Sequence, residues 1–213
     1  MDMKDLIDVH THDYDYQGNV KTIKVAYSYN NFHKSDLVGI APQNYKEYQY
    51  DLEQYISGKL GVGEIGLDYY WVREDSERKA QREVFEHQLR IAEKMNGIVE
   101  IHCRDAYEDI LNIMSSYNLK RVIFHFFSGN LNHYRAIIDR GWYISIPPKP
   151  SSVRKQAIKY NISHLLCETD SPYVTDSPDR VIESYKFIAE VSGQNLDRVV
   201  ELILDNYNSF ISR

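Results

Sequence analysis

The 213-residue sequence has only two cysteines, Cys103 and Cys167, and six prolines. Two thiols give no disulfide framework and no cysteine-rich zinc cluster, so both are expected to be buried and reduced. No apolar run approaches the roughly 18 residues of a membrane span. The amino terminus, Met1-Asp2-Met3-Lys4-Asp5, leads straight into a short apolar strand, without the basic-then-apolar order of a secretory signal. The expected compartment is the cytoplasm. Basic residues are also in deficit, with 25 Lys and Arg against 31 Asp and Glu, a formal charge of −6. That balance argues against a broad electrostatic grip on nucleic acid. It leaves room for an enzyme that takes a strand end, where bound cations supply positive charge locally.

What is present is a globular composition, 43% hydrophobic and 26% charged. Eighteen tyrosines supply most of the aromatic content, which suits packing around a wet hydroxyl. A stacking platform for bases is compatible with this composition, which does not locate one. Short β-branched runs alternate with helix-like stretches, the mark of parallel βα units. Strands are expected at Asp5–His12, Lys21–Ser28, Asp36–Ile40, Gly61–Ile65, Ile98–His102, Arg121–His125, Trp142–Ile146 and His164–Glu168. Helices are expected at Tyr45–Ile56 (with Asn44 as N-cap), Arg78–Met95, Ala106–Tyr117, Leu131–Arg140, Ser152–Tyr160, Asp179–Ser192 and Leu196–Ile211. Gly97, Gly141 and Gly193 fall where C-caps belong, and Ser177-Pro178 where a cap and first-turn proline belong.

Eight alternating strands predict an α/β fold, a (β/α)8 TIM barrel, in a single domain over residues 1–213. Such barrels typically need about 250 residues. The shortage is local, because Asp13 to Val20 and Tyr29 to Ser35 are too short for full helices. The outer helices are therefore expected to be reduced over the N-terminal third, with a partner, such as a second copy of the chain, covering the thinned side.

The chemistry-bearing residues cluster at strand ends. In Leu6-Ile7-Asp8-Val9-His10-Thr11-His12 the two histidines are two apart, which in a strand points both the same way. Glu64 sits in the apolar strand Val62-Gly63-Glu64-Ile65, His102 and His125 each end a strand, and Asp170 follows the eighth. Parallel strands bring such ends to one mouth, where barrel active sites lie. His10, His12, Glu64, His102, His125 and Asp170 offer enough donors for two divalent ions if one carboxylate bridges. His33, His87, His133 and His164 lie in loops, on helices or at a strand start, and read as ordinary polar residues.

Five ordered motifs carry a resemblance. Asp8-Val9-His10-Thr11-His12, Gly63-Glu64-Ile65-Gly66-Leu67-Asp68-Tyr69-Tyr70, His102-Cys103-Arg104-Asp105-Ala106, His125-Phe126-Phe127-Ser128-Gly129 and Glu168-Thr169-Asp170-Ser171-Pro172-Tyr173 resemble the TatD-related metal-dependent deoxyribonucleases of the metal-dependent hydrolase superfamily. The resemblance covers nearly the whole chain. It implies a (β/α)8 barrel with two divalent ions, one on His10, His12 and Asp170, the other on His102 and His125, with Glu64 bridging. It further implies cleavage of DNA ends by metal-activated water, with Asp170 as base and proton shuttle. The DNA or nucleotide substrate would be bound weakly and locally. Arg104 would either reach a phosphate oxygen or form an ion pair with a nearby acid. Asp8, two residues before His10 on the same face, would support that ligand from behind. Imidazole-rich ligation favours zinc, manganese or iron over magnesium, whereas family members are commonly described as magnesium-dependent, so zinc, manganese and magnesium stay open.

The chain also departs from the family. The usual Gly-x-His-Pro-His segment reads Gly39-Ile40-Ala41-Pro42-Gln43, the Arg-Asn-Glu-Pro stretch has no counterpart, and Phe126 stands where a small residue is common. The metal donors are intact while part of the substrate side is not. Hydrolysis of another ester, a phosphomonoester or an amide (for example an aminoacyl-tRNA ester) is the alternative, and a non-catalytic nucleotide-binding barrel a third reading.

Overall fold

Eight short strands run through the computed structural model, which describes residues 3–212, and from the fourth onward they alternate with α-helices. In chain order they are β1 (Ile7–Thr11), β2 (Lys21–Lys24), β3 (Leu37–Val38), β4 (Gly61–Asp68), α1 (Asp75–Met95), β5 (Ile98–Arg104), α2 (Tyr107–Met114), β6 (Arg121–Phe124), α3 (Leu131–Ile138), β7 (Tyr143–Ile146), α4 (Ser152–Tyr160), β8 (Leu165–Cys167), α5 (Ile182–Ser192) and α6 (Leu196–Ile211). Every expected strand is present. Among the described residues no α-helix precedes α1, as the short early connections require. No described helix is long and apolar enough to cross a membrane. Cys103 and Cys167 are buried thiols, and burial pushes both well above their usual pKa.

The chain forms two compact units. One is Val25–Phe124, in which β3, β4, β5 and β6 pair in parallel. β4 is buried along its whole length, and a Cβ at Gly61 would collide with the carbonyl oxygen of Ile98 on β5, so only glycine allows that approach. α1 buries Val84, Phe85, Leu89, Ile91 and Ala92 on one face. Two buried glutamines on the same helix act as backbone partners. The Ile40 N–H donates to Gln88 Oε1 at 2.8 Å, and Gln88 Nε2 donates to the Ile40 carbonyl at 3.0 Å. Gln81 likewise accepts from Asp68 N–H and donates to the Pro42 carbonyl. The helix thereby satisfies chain that lies beyond the two-residue strand β3.

The expected helix over Tyr45–Ile56 does not form. Its place is taken by two 3₁₀ turns, Pro42–Glu47 and Leu52–Gln54, the first entered through Ala41 and Pro42, not capped by Asn44. Tyr45, Tyr48 and Leu52 are buried at helix-like spacing, which is what the sequence pattern detected. Tyrosine is a modest helix former, however, and Tyr50 takes a left-handed φ of 58° that breaks the run. α1 ends at Met95 as expected, but its cap is Asn96 in the left-handed conformation, one residue before the expected Gly97. The expected start at Asp179 is a 3₁₀ turn, Pro178–Val181, capped by Ser177 and continuing into α5.

The other unit comprises the chain on either side of Val25–Phe124. Here β1 pairs with β2 and β7 with β8, all parallel. The end of β1 is tied to the segment after β8 by His12 N–H donating to the Ser171 carbonyl (2.7 Å) and Asp170 N–H donating to the His10 carbonyl (3.0 Å). Helices again complete the strands. The Tyr185 hydroxyl on α5 accepts from Ile7 N–H, and Asn206 Nδ2 on α6 donates to the carbonyls of Ile162 and Leu165.

Gln88→Leu keeps the bulk of the side chain and removes both Ile40 partners. Two buried backbone groups left unsatisfied should cost about 2–4 kcal/mol. Urea unfolding should show the midpoint fall with an unchanged slope; a loss under about 0.5 kcal/mol would mean that Ile40 finds other partners.

Candidate metal centre

The end of β1 presents His10, and His12 follows one residue beyond the strand, both buried. Their Nε2 atoms lie 3.0 Å apart. Asp170, in the loop after β8, has a left-handed φ of 52°, which aspartate tolerates better than most residues. That turn is held by the Asp170 N–H on His10 and by Tyr173 and Val174 N–H groups on the Asp170 carbonyl. It places Asp170 Oδ1 3.7 Å from both histidine Nε2 atoms. A point about 2.0 Å from all three atoms therefore exists, matching zinc–imidazole and zinc–carboxylate bonds of about 2.0–2.2 Å. The donor set, imidazole nitrogen with carboxylate oxygen, suits a first-row divalent ion. The residues fit the group that the sequence implies.

A second donor set adjoins the first. The His125 ring stacks on His10 with centroids 4.0 Å apart and planes 8° from parallel. Glu168, fully buried, accepts from Ser145 Oγ at 2.7 Å and brings the same oxygen to 3.7 Å from His125 Nδ1. Its other oxygen, Oε1, is buried with no hydrogen-bond partner among the described residues. Ligand atoms of His10, His125 and Glu168 fall within 4.8 Å of one another.

Asp8 organises the backbone beneath these groups. Fully buried, it accepts from Thr169 N–H (2.9 Å), Thr169 Oγ1 (2.5 Å) and His10 N–H (3.2 Å). Burial raises its carboxyl well above the usual range, against the lowering effect of those hydrogen bonds. These bonds run to backbone N–H groups and to the Thr169 hydroxyl, so its support for His10 comes through the main chain. Thr11 Oγ1 and Ser171 Oγ, 2.7 Å apart, add a further link between the two segments.

Within Val25–Phe124 a polar cluster forms on β4 and β5. Glu64 is buried, and its Oε1 lies 2.5 Å from His102 Nδ1. Asp68 Oδ2 lies 3.0 Å from His102 Nε2, and Gln43 Nε2 stands 3.2 Å from both of those atoms. Each ring nitrogen of His102 thus faces a carboxylate. Arg104, the last residue of β5, lies over aromatic rings. Its guanidinium lies 3.7 Å from the Tyr70 ring centroid and 5.7 Å from that of Trp71.

Sequence reasoning missed Glu168, Asp68 and Gln43. The first two stand inside motifs already singled out, Glu168 two residues before Asp170 and Asp68 four after Glu64, and each ends a strand or begins the loop after it. That position was the available signal. Gln43 stands where the family has a histidine and still reaches His102.

Comparison with known proteins places these motifs. A family model described as TatD related DNase matches residues 2–212. Human deoxyribonuclease TATDN3 is 26% identical over 166 residues, which are 73% of this chain and 61% of that protein. The uncharacterized metal-dependent hydrolase YcfH of Escherichia coli is 29% identical over 189 residues, 79% of this chain and 70% of that one. The chain thus spans about three fifths of the human relative it matches. Among solved structures, the TatD homologue YJJV of Escherichia coli superimposes with a TM-score of 0.81 at 21% identity, covering all of both chains. A TatD family hydrolase from Entamoeba histolytica gives 0.82 at 16% identity, over 96% of this chain and 97% of that one. At such identities the likeness shows the fold, which is the (β/α)8 barrel class expected from the strand count.

Asp8→Ala should lower stability by about 2–4 kcal/mol, because three buried donors lose their acceptor. Asp8→Asn, which keeps one carbonyl oxygen, should lose less. Denaturant midpoints for the pair would check this, and an Asp8→Ala protein as stable as the parent would show that the β1 end does not depend on Asp8.

Proposed function

The chain belongs to the TatD-related DNase family, and from that premise we propose that it is a divalent-metal-dependent hydrolase cleaving phosphodiester bonds at DNA ends. The observation that carries the reading is the triangle of His10 Nε2, His12 Nε2 and Asp170 Oδ1, sized for one divalent ion. His10, His12 and Asp170 are assigned to that ion, with His125 and Glu168 beside them. Glu64 and His102 are assigned to a second. Divalent ions on these donors would lower the pKa of water and offset charge on the phosphoryl oxygens.

The side chains do the rest. Asp170 is 17% exposed, so solvent reaches its carboxylate. It orients the attacking water and accepts its proton. Burial of His10, His12 and Glu64 keeps their lone pairs from water and pre-sets their directions. Imidazole-rich ligation favours zinc or manganese over magnesium. Ala41 and Gln43, standing where the family has histidines, support a second reading in which the same donors serve another ester or a phosphomonoester.

The test is cleavage of 3′-labelled single-stranded DNA by chelated protein re-supplied with magnesium, manganese or zinc. Metal-dependent nucleotide release is expected, and Asp170→Asn should slow it by roughly 10²- to 10⁴-fold with the fold intact. An undiminished rate in that variant would contradict the role of Asp170. No release with any metal, from protein that holds its ions, would move the reading to another ester. Elemental analysis provides an independent check. Glu64→Gln should hold fewer ions than the parent, and an unchanged metal content would remove Glu64 from the ligand set.

A further inference from the structure

We infer that Tyr70, Trp71 and Arg104 form a stacking platform that holds an unpaired nucleobase of a single-stranded DNA end. The inference rests on the nuclease reading and adds to it the part of the substrate that is recognised. It begins from exposure. Trp71 is 66% exposed and Tyr70 43%, although large aromatic rings gain most from burial. The two are not scattered. Their rings meet edge to face, 4.9 Å apart at 89°, and the Arg104 guanidinium lies over Tyr70 at 3.7 Å. Two π faces and a planar cation thus share one exposed spot.

The platform is built rather than loose. Asp68 Oδ1 accepts from the N–H groups of Tyr70 (3.2 Å) and Trp71 (3.4 Å), fixing the turn after β4. Tyr69 N–H donates to the Arg104 carbonyl at 2.9 Å, which ties that turn to the end of β5. The Tyr69 hydroxyl is in turn anchored, donating to Asp109 at 2.6 Å and accepting from Arg82 at 2.9 Å. Only the next two rings are left outward.

Position selects the ligand. The other oxygen of Asp68 lies 3.0 Å from His102 Nε2, so one carboxylate supports both the exposed rings and a residue assigned to the metal centre. A group resting on the rings is therefore held close to His102. The chain carries a formal charge of −6, which denies it a broad basic surface for DNA. Stacking supplies affinity without such a surface, at about 5- to 150-fold per base. A planar nucleobase fits the ring faces, and the edge of Arg104 is free to meet a neighbouring phosphate.

Trp71 makes the test direct, because the only other tryptophan, Trp142, is 3% exposed. The full chain, loaded with magnesium, is titrated with a phosphorothioate-linked tetradeoxyadenylate, which resists cleavage. A second titration uses the same backbone with every base replaced by a tetrahydrofuran abasic unit. Quenching of tryptophan emission by the first probe, and at least tenfold weaker binding without quenching by the second, are expected. Trp71→Leu and Tyr70→Leu should weaken the adenylate by 5- to 150-fold and leave the abasic probe unchanged, whereas Arg104→Ala should weaken both. Equal affinity for the two probes, or unchanged adenylate binding in Trp71→Leu, would overturn the platform. Base-dependent quenching in a protein that cleaves no DNA would support the platform and overturn the nuclease reading instead.

Discussion

The carboxyl of Asp8, sealed from solvent, joins the end of β1 to the loop after β8 through three hydrogen bonds. His10 and His12 stand on one of these segments and Asp170 on the other. Side chains that are far apart in sequence can share an ion only if their main chains are fixed to within a fraction of an ångström. The unit achieves this with buried acceptors and two cross-segment backbone bonds. The cost is a carboxyl held in an environment that disfavours its charge.

The same device recurs elsewhere. Gln88 and Gln81 on α1, Tyr185 on α5 and Asn206 on α6 turn polar side chains toward backbone groups of strands and of the chain beside them. A chain of this length has strands of two to eight residues. Their ends leave N–H and C=O groups that water cannot reach, and helix side chains satisfy them. The reduction of outer helices ahead of α1 is tolerable for this reason, since α1 itself supplies partners to Ile40 and Pro42.

Strands and donors were legible in the sequence because both follow simple periodicities. β-branched runs mark β4, β5 and β6, and the two-residue spacing of His10 and His12 forces a common face. Capping and turn geometry were less legible. Tyr45, Tyr48 and Leu52 mimic a helical stripe, yet a left-handed Tyr50 turns the segment into 3₁₀ pieces. Glu168 and Asp68 were passed over because each has a more conspicuous neighbour, Asp170 and Glu64, within the same motif. The roles of Gln43 and Arg104 depend on what lies across space, Asp68 in one case and Tyr70 in the other, and no local pattern encodes that.

The central claim is that three side chains from two distant segments define a single ion position. Crystals of the full chain soaked in zinc, measured at the zinc absorption edge, test it directly. The account predicts an anomalous peak equidistant from His10 Nε2, His12 Nε2 and Asp170 Oδ1, at about 2.0–2.2 Å from each. Zinc bound elsewhere, with these three atoms uncoordinated, would contradict it.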